Sequence, residues 1–390
     1  MGERLPSPGS IIQRDYRDLQ TPTPHRSETL RLLQWNIERG YKLPGIIEEL
    51  KQIDADVIAL QEVDIGCERS GSLDTGNEIA KALGLNYAFF CEFEELRSPL
   101  RTPELQGGGV HGNAILSKFD ILDLGLVQHS VHPVDWNKAE EPRARLEPRR
   151  GERAVLRARI AAPGTNLVVY CAHLEVFCGA LVRMRHLADI FNDARSQIDQ
   201  GYPRIAILGD MNTMAHGVAR LSPSYCCDRM RFRFLGSTEG EVWQDKILSV
   251  PDPRYSEPHA TDALAPNPHV LAWGLPPQVA LGALNPGFSD PFDARNTVTL
   301  DNPKYRWGPW SLMAGKLDWM MLRQLTVHST SLGNQGVPIM SLPSSSGGVN
   351  RHGMQVDKAI VLGASLSRLL GTQIVYKTIG AGLKCAQPHW

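Results

Sequence analysis

The sequence predicts an α/β sandwich, in which β-sheets are stacked face to face and helices lie outside them. The main observation is a series of short apolar runs bounded by turn signals, the pattern of strands buried on both faces. These runs cover residues 32–36, 57–62, 168–173 and 205–209. Each run ends in a polar side chain or is followed directly by one, so we expect one rim of a sheet to carry Asn36, Glu62, His173, Asp210 and Asn212.

The spacing of apolar residues predicts the other elements in chain order. Residues 44–53 show the spacing of one helix face, and Pro44 suits a first-turn position. Further helices are predicted over residues 76–83 and 179–199. Further strands are predicted over residues 85–91, 113–117, 154–160, 317–322 and 357–362. A turn at Pro163 and Gly164 predicts a hairpin that joins strand 154–160 to the run ending at His173.

Three segments show no clear periodicity. Residues 1–28 are rich in Pro, Ser, Thr and charge, and we interpret them as a disordered lead. Residues 120–150 and 218–310 carry many Pro or charged residues, and we interpret both as insertions around the sheets. We therefore expect one main domain over residues 29–365 and a C-terminal tail over residues 366–390.

Composition and charge restrict the class of protein. Hydrophobic residues make up 42% of the 390 residues and charged residues 21%, as in globular proteins. The net charge of −1 gives no overall attraction to nucleic acid. Five Arg residues between positions 143 and 153 have two interpretations, either a solvated loop with an exposed strand face or a rim that contacts phosphate.

The seven Cys residues indicate a reducing compartment. Their number is odd, and their spacing fits neither a disulfide framework nor a zinc site. The N-terminus shows no signal-peptide pattern, and no uncharged apolar run reaches transmembrane length. We therefore predict an intracellular protein, in the cytoplasm or the nucleus, without an integral membrane segment. The sequence predicts no oligomeric state.

Six short motifs occur in one order along the chain, and together they resemble the endonuclease/exonuclease/phosphatase superfamily. They are Gln34-Trp35-Asn36, Leu60-Gln61-Glu62-Val63, Gly112-Asn113-Ala114-Ile115-Leu116-Ser117, His173-Leu174-Glu175, Gly209-Asp210-Met211-Asn212 and Leu317-Asp318-Trp319. The resemblance implies a four-layer sandwich with two central mixed or antiparallel sheets flanked by helices, and a catalytic domain over residues 29–365. It also implies a hydrolase of phosphate esters that depends on Mg²⁺ or Mn²⁺. Such an enzyme would act as a phosphodiesterase on nucleic acid, a phosphoinositide or sphingomyelin.

Glu62 and Asn36 are the predicted metal-site residues. A carboxylate at the end of a buried strand is costly unless it is paired or binds a metal, and Mg²⁺ prefers one or two carboxylates together with water. The resemblance implies that Glu62 binds the metal and that Asn36 binds water of the metal shell or phosphate. The alternatives are a solvated strand-end Glu and an Asn that forms a turn.

The resemblance assigns the chemistry to residues near the ends of later strands. Asp210 and Asn212 lie two residues apart, which places both on one face of a strand. Asp210 is expected to orient or deprotonate the attacking water, while Asn212 and His173 donate to the phosphate. Asn113 is expected to shape the loop beside the phosphate. The alternatives are an Asx turn at Asp210 and a structural role for His173.

The closing motif departs from the family. The resemblance implies a final Ser-Asp-His, whose His would be oriented by Asp318. The chain instead reads Met354-Gln355-Val356-Asp357-Lys358, so the expected His is missing, and Asp357 is the remaining candidate for the metal. Two interpretations therefore stay open. The protein is either a working hydrolase or a catalytically weakened or inactive member that binds phosphate.

Overall fold

The computed structural model of the protein describes residues 4–18, 29–138, 140–213, 228, 232, 236–255, 282–301, 306–308, 310–311, 314–332, 340–341 and 354–362. Two stacked β-sheets form its centre, with ten and five strands. The strands in chain order are β1 Ile11–Asp15, β2 Thr29–Asn36, β3 Val57–Ile65, β4 Asn86–Glu95, β5 Val110–Ser117, β6 Ile121–Gln128, β7 Arg149–Gly151, β8 Ala154–Ala162, β9 Thr165–His173, β10 Ile205–Asp210, β11 Leu300–Asp301, β12 Arg306–Trp307, β13 Trp310–Ser311, β14 Ala314–Gly315, β15 Asp318–Arg323, β16 Leu325–Val327, β17 Ser329–Leu332, β18 Met340–Ser341 and β19 Met354–Leu362.

The order of strands brings the predicted motifs into the middle of both sheets. The larger sheet has the order β1-β4-β5-β3-β2-β19-β17-β18, with β16 paired to β19 and β7 paired to β4. The smaller sheet has the order β15-β10-β9-β8-β6. Strands β2 and β3 are parallel, as are β9 and β10, whereas β15 runs antiparallel to β10. Both sheets are therefore mixed.

The helices cover the outer faces of the two sheets. They are α1 Leu43–Ile53, α2 Thr75–Leu83, α3 Pro142–Leu146, α4 Ala180–Asp199 and α5 Glu239–Trp243. Helices α1 and α2 pack on the larger sheet, and α4 packs on the smaller one. A third core of apolar side chains fills the space between the sheets. The predicted four-layer sandwich is confirmed. No helix in the described ranges is long and apolar enough to cross a membrane.

Local sequence explains where the first two helices begin and end. Pro44 occupies the first turn of α1, where a missing N–H costs nothing, and Asp54 ends the helix in the left-handed conformation. Asp74 caps the N-terminus of α2, because its side chain accepts the Asn77 N–H at 2.9 Å, and Gly84 caps the C-terminus. The first helix was predicted from residue 44, within one residue of where it begins.

Two predicted irregular segments contain strands. Residues 11–15 form β1, which pairs with β4, so the interpretation as a disordered lead is wrong for these residues. Residues 121–128 form β6, which pairs with β8, so this part of the predicted insertion over 120–150 is also wrong. Both are short edge strands with half-exposed faces, so their apolar pattern is weak. The domain bounds at 29 and 365 stay a prediction, and residues 366–390 lie outside the described ranges.

Candidate active site

Polar residues from five strands meet at one rim of the sandwich. In the larger sheet, Asn36 at the end of β2 pairs with Gln61 on the parallel strand β3. In the smaller sheet, His173 at the end of β9 pairs with Asp210 at the end of β10, and Asp210 pairs with Asp318 of β15. Parallel strands end at the same edge of a sheet, so these side chains converge as predicted.

The side chain of Asn36 connects the two sheets. Its Nδ2 donates to Glu62 Oε1 of the larger sheet and to Asp210 Oδ2 of the smaller sheet, each at 3.1 Å. Its Oδ1 accepts the backbone N–H of Glu38 at 3.1 Å, which fixes the orientation of the amide. We call Asn36, Glu62, Asp210 and Asp318 the rim cluster.

Glu62 reaches the rim through an irregular backbone. It has φ of 57°, and the pairing of β3 with β5 shifts between Leu60 and Val63. A β-bulge of this kind redirects a side chain, and a left-handed non-glycine residue stores strain that the surrounding sheet must hold. Burial works to raise the pKa of Glu62, but the positive charge of Arg39 and the neighbouring His111 lower it overall. Glu62 is therefore ionised at neutral pH.

Asp210 and Asp318 are buried next to each other with little compensation. Burial and then the neighbouring Asp318 carboxylate raise the pKa of Asp210, although the Asn212 N–H donates to its Oδ1 at 2.8 Å. Burial also raises the pKa of Asp318, whose Oδ1 accepts Gln34 Nε2 at 2.9 Å. Neither carboxylate makes an ion pair with Arg or Lys among the described residues, so burial and the mutual repulsion of the two carboxylates favour protonation of one of them.

His173 faces the same space as a neutral imidazole. Its Nε2 lies 4.0 Å from Asp210 Oδ2. Burial and then the positive charge of Arg153 and the neighbouring His111 hold the pKa of His173 well below its usual range. A neutral imidazole donates one hydrogen bond, so His173 can donate to a phosphate oxygen without carrying a charge.

Two other predicted residues differ in their contacts: the Asn212 side chain is hydrogen-bonded, whereas neither side-chain polar atom of Asn113 has a hydrogen-bond partner among the described residues. The Asn212 side chain donates to the backbone oxygen of Leu174 at 2.8 Å, and its φ of 50° marks a tight turn after β10. Asn113 is fully buried on β5, and it helps to lower the pKa of the adjacent Glu92 against the effect of burial. The geometry therefore shows Asn212 holding the loop, while its donation to phosphate stays a prediction.

The last predicted metal residue, Asp357, lies elsewhere. Strand β19 pairs in parallel with β2, and the register shifts at Asp357, directly before the pair Lys358–Arg31. Asn36 lies five residues further along β2 than Arg31, a distance of about 16 Å. This register places the backbone of Asp357 away from Asn36, and the assignment of Asp357 as a metal residue stays a prediction. The physical reason for this placement is that parallel pairing puts the start of β19 at the far edge from Asn36.

Several residues of the site were not predicted. Gln34 and Arg39 flank Asn36 in sequence and contact Asp318 and Glu62. Gln34 belongs to the first motif and Arg39 follows that motif by three residues. A search for amide and charged side chains in and around each motif would have found both. Arg153 belongs to the predicted Arg cluster. Its side chain is buried, and its Nη1 lies 3.2 Å from Glu92 Oε2 and 3.3 Å from the backbone oxygen of His173.

The Arg residues between positions 143 and 153 were interpreted either as a solvated loop with an exposed strand face or as a rim that contacts phosphate. The described members of this cluster differ in burial. Arg149 and Arg153 are buried at 6% and 7% exposure, so a solvated loop is wrong for these two. The Arg150 side chain is 63% exposed and fits that interpretation. Arg149 lies 4.0 Å from the ring centroid of Trp136, and Trp136 Nε1 donates to Glu175 Oε2 at 3.2 Å. The segment after β6 thus contacts Glu175, which lies two residues after His173.

The donor set of the rim cluster fits a hard divalent cation such as Mg²⁺ or Mn²⁺. Glu62 Oε1 and Asp210 Oδ2 accept hydrogen bonds from the same amide group and so lie close together, and Asp210 has no Arg or Lys partner among the described residues. Within the described residues, no group of three or more His, Cys, Asp and Glu side chains is placed to hold a metal ion. A cation here would take its other ligands from water and substrate, as Mg²⁺ commonly does.

Comparison with known proteins found similar solved structures and one matching family. Similar solved structures include an endonuclease/exonuclease/phosphatase from Beutenbergia cavernae, with 18% identity, 75% of this chain and 71% of that chain covered, and a TM-score of 0.39. Truncated Caenorhabditis elegans TDP2 has 14% identity, coverage of 75% and 84%, and a TM-score of 0.38. ANGEL2, a 2',3'-cyclic phosphatase, has 15% identity, coverage of 75% and 82%, and a TM-score of 0.40. No curated protein matches the sequence. The model of the Endonuclease/Exonuclease/phosphatase family matches residues 33–226, and this part of the chain belongs to the family.

Proposed function

We propose that the protein is a hydrolase of phosphate esters that depends on Mg²⁺ or Mn²⁺ and acts as a phosphodiesterase. Membership of the family supports the reaction class. The observation that carries the proposal is the hydrogen bonding of one Asn36 amide to two carboxylates from different sheets. Glu62 and Asp210 share one amide donor, and the buried Asp210 has no Arg or Lys partner among the described residues, which is an arrangement that a divalent cation stabilises.

The residues of the rim have different roles in the proposed reaction. Glu62 and Asp210 hold the cation, and Asn36 fixes the orientation of both carboxylates. A divalent cation polarises a phosphoryl oxygen and stabilises the leaving oxygen. Asp210 directs the attacking water and accepts its proton, since a carboxylate placed beside the phosphate can act as a general base. His173 and Asn212 donate to phosphate oxygens, and Asp318 shares the site with Asp210.

The substrate class that we propose is a phosphodiester of nucleic acid, a phosphoinositide or sphingomyelin. The net charge of −1 gives no general attraction to nucleic acid, so recognition depends on local groups at the rim. Four buried Cys residues, Cys67, Cys91, Cys171 and Cys178, are free thiols, which supports an intracellular location in the cytoplasm or the nucleus.

A weakened or inactive family member is the second candidate. One observation favours it: Asp318, which would orient the missing closing His, instead accepts a hydrogen bond from Gln34. The interaction of that His with the transition state is then missing. Removal of one such donor typically costs about 100- to 1000-fold in rate, which would leave phosphate binding intact.

One experiment separates the two candidates. The purified full chain is incubated with bis-p-nitrophenyl phosphate, with MgCl₂, with MnCl₂ and with EDTA, and the release of nitrophenol is followed. A working hydrolase shows turnover that requires the metal and disappears in Asp210→Asn. Phosphate binding without turnover in wild type identifies the inactive member. Single- and double-stranded nucleic acid, phosphoinositides and sphingomyelin are then compared as substrates.

A further inference from the structure

We propose that Arg39 binds the non-bridging oxygens of the substrate's phosphoryl group, and so supplies a positive charge in a site whose expected closing His is missing. The inference rests on the proposed function and deepens it. It comes from the placement of Arg39 beside Glu62, from its free donors and from the strained turn that presents it.

A fixed turn presents Arg39 to the rim. Residues Glu38–Gly40 form one turn of 3₁₀ helix directly after Ile37, and Glu38 and Arg39 have left-handed φ values of 48° and 61°. The Gly40 N–H donates to the Ile37 oxygen at 3.0 Å, and a Cβ at Gly40 would lie 2.8 Å from a side-chain carbon of Thr75. Backbone strain at non-glycine residues persists where the surroundings hold it, and it is common at ligand contacts.

The guanidinium of Arg39 lies at the rim with donors to spare. Its Nε is 3.8 Å from Glu62 Oε2, too far for a hydrogen bond, and Nη1 donates to the Tyr41 hydroxyl at 3.1 Å. Buried Nε has no hydrogen-bond partner among the described residues, and the side chain is 23% exposed. Arg39 is thus held in place, is reachable, and has hydrogen-bonding capacity left.

Other Arg residues nearby each lie within ion-pair distance of two carboxylates. Arg69 makes a two-fold contact with Asp64, at 2.8 and 2.9 Å, and also reaches Glu95 at 3.2 Å. Arg153 contacts Glu92 at 3.2 Å and lies 3.7 Å from Glu175. Glu62 is the one carboxylate within ion-pair distance of Arg39 in the described ranges. When a cation shares the charge of Glu62, the attraction that holds Arg39 weakens.

A guanidinium matches the geometry of a phosphoryl group. It donates two parallel hydrogen bonds to two oxygens, which adds orientation as well as charge. In this role Arg39 moves no proton and forms no bond, and it binds the charge that develops on the phosphoryl oxygens. The bound phosphate then replaces Glu62 as the main anionic partner of Arg39.

The test compares Arg39→Gln and Arg39→Lys with a control, Lys42→Gln, which removes a charge from the same turn. Binding of inorganic phosphate is measured by calorimetry with saturating MgCl₂, and binding of Mg²⁺ is measured without phosphate. We expect Arg39→Gln to weaken phosphate binding by on the order of 10- to 100-fold. Arg39→Lys should lose part of this affinity, because it keeps the charge without the planar geometry, and Lys42→Gln should bind as wild type does.

A second result identifies the opposite case. If Arg39→Gln binds phosphate as wild type does and binds Mg²⁺ more tightly, Arg39 is only the counterion of Glu62 and the inference is wrong. Thermal melting checks that each variant folds, and Arg39→Lys decides the question if Arg39→Gln does not fold. Failure of the proposed function looks different: wild type itself then neither binds phosphate with Mg²⁺ nor hydrolyses the ester.

Discussion

Two groups of carboxylates each include one residue of β3, Asp64 in one group and Glu62 in the other. The groups differ in how many basic side chains contact their carboxylates. Asp64 belongs to a paired network with Arg69, Glu95, Arg101 and His111. Glu62 belongs to the rim cluster. Both groups come from strands of the central sandwich, and their carboxylates are buried except for Glu62, whose side chain is 23% exposed. The difference is the number of basic partners, and it separates a structural element from a candidate catalytic one.

In the paired network, each carboxylate has at least one strong partner. Asp64 contacts Arg69 through both oxygens and His111 Nδ1 at 2.7 Å, while Glu95 contacts Arg69 at 3.2 Å and Arg101 at 2.8 Å. Burial works to raise the pKa of Asp64, but Arg69 and His111 hold it at about 2. The same kind of pairing holds the pKa of Glu95 well below its usual range.

In the rim cluster, the balance is reversed. Asp210 and Asp318 receive hydrogen bonds from amides and backbone N–H groups but no contact from Arg or Lys within the described residues, and the pKa of each is raised. An unpaired buried carboxyl destabilises the fold, so its position needs another reason. Binding of a cation is such a reason. Three substitutions and one pH dependence test this contrast.

The largest effect is expected for Asp210→Asn. The amide keeps the shape of the side chain but accepts no proton from water, so ester hydrolysis should fall by about 10³-fold or more. Because the substitution removes an unpaired buried carboxyl, stability should be unchanged or slightly higher. Rates with bis-p-nitrophenyl phosphate and thermal melting measure both. Loss of the cooperative transition would show that Asp210 has a structural role instead.

The paired network should respond in the opposite way to the same chemical change. Asp64→Asn leaves Arg69 short of one buried negative charge, and the free energy of unfolding should fall by about 3 kcal/mol. Denaturation in urea measures this. The control is Asp123→Asn, at a 41%-exposed carboxylate paired with Arg157, where less than about 1 kcal/mol is expected. Equal losses in both variants would contradict the contrast between buried and exposed pairs.

Acid should weaken the paired network next. The pKa of Asp64 is about 2 in the folded chain and near 3.8 in the unfolded chain, so the unfolded chain binds more protons between these values. The stabilisation is complete above pH 3.8 and is lost as the pH falls through 2, in total about 2 kcal/mol. Urea denaturation of wild type should therefore depend more steeply on pH in this range than that of Asp64→Asn. Parallel pH profiles would contradict the prediction.

The sequence predicted the rim better than its surroundings, for local reasons. Strands β2, β3, β9 and β10 each combine a continuous apolar run with a polar end, and both signals lie within a few consecutive residues. The edge strands β1 and β6 face solvent on one side, so polar residues interrupt their apolar pattern. The contacts that select Gln34 and Asp318 join residues 284 positions apart, and only the folded chain brings them together.

The closing strand shows a second limit of sequence analysis. Asp357 was assigned to the metal because the family has an acidic residue near this point of the chain. Whether it reaches the rim depends on the direction in which β19 pairs with β2, and this direction is not encoded in the local pattern. Parallel pairing carries Asp357 to the opposite edge. The same limit applies to Arg39, whose function depends on a turn with two left-handed residues.

The smallest effect concerns the metal itself. Glu62→Gln keeps a hydrogen-bond acceptor for Asn36 but removes the negative charge, so Mg²⁺ or Mn²⁺ affinity should fall by about tenfold, or roughly 1.4 kcal/mol. Calorimetry measures this directly, without turnover. Glu94→Gln is the control, because Glu94 is a 47%-exposed carboxylate in the same sheet, paired with Arg150 at 3.9 Å. Equal affinity in wild type and Glu62→Gln would remove Glu62 from the metal site, and the contrast with Asp64 would then rest on Asp210 and Asp318 alone.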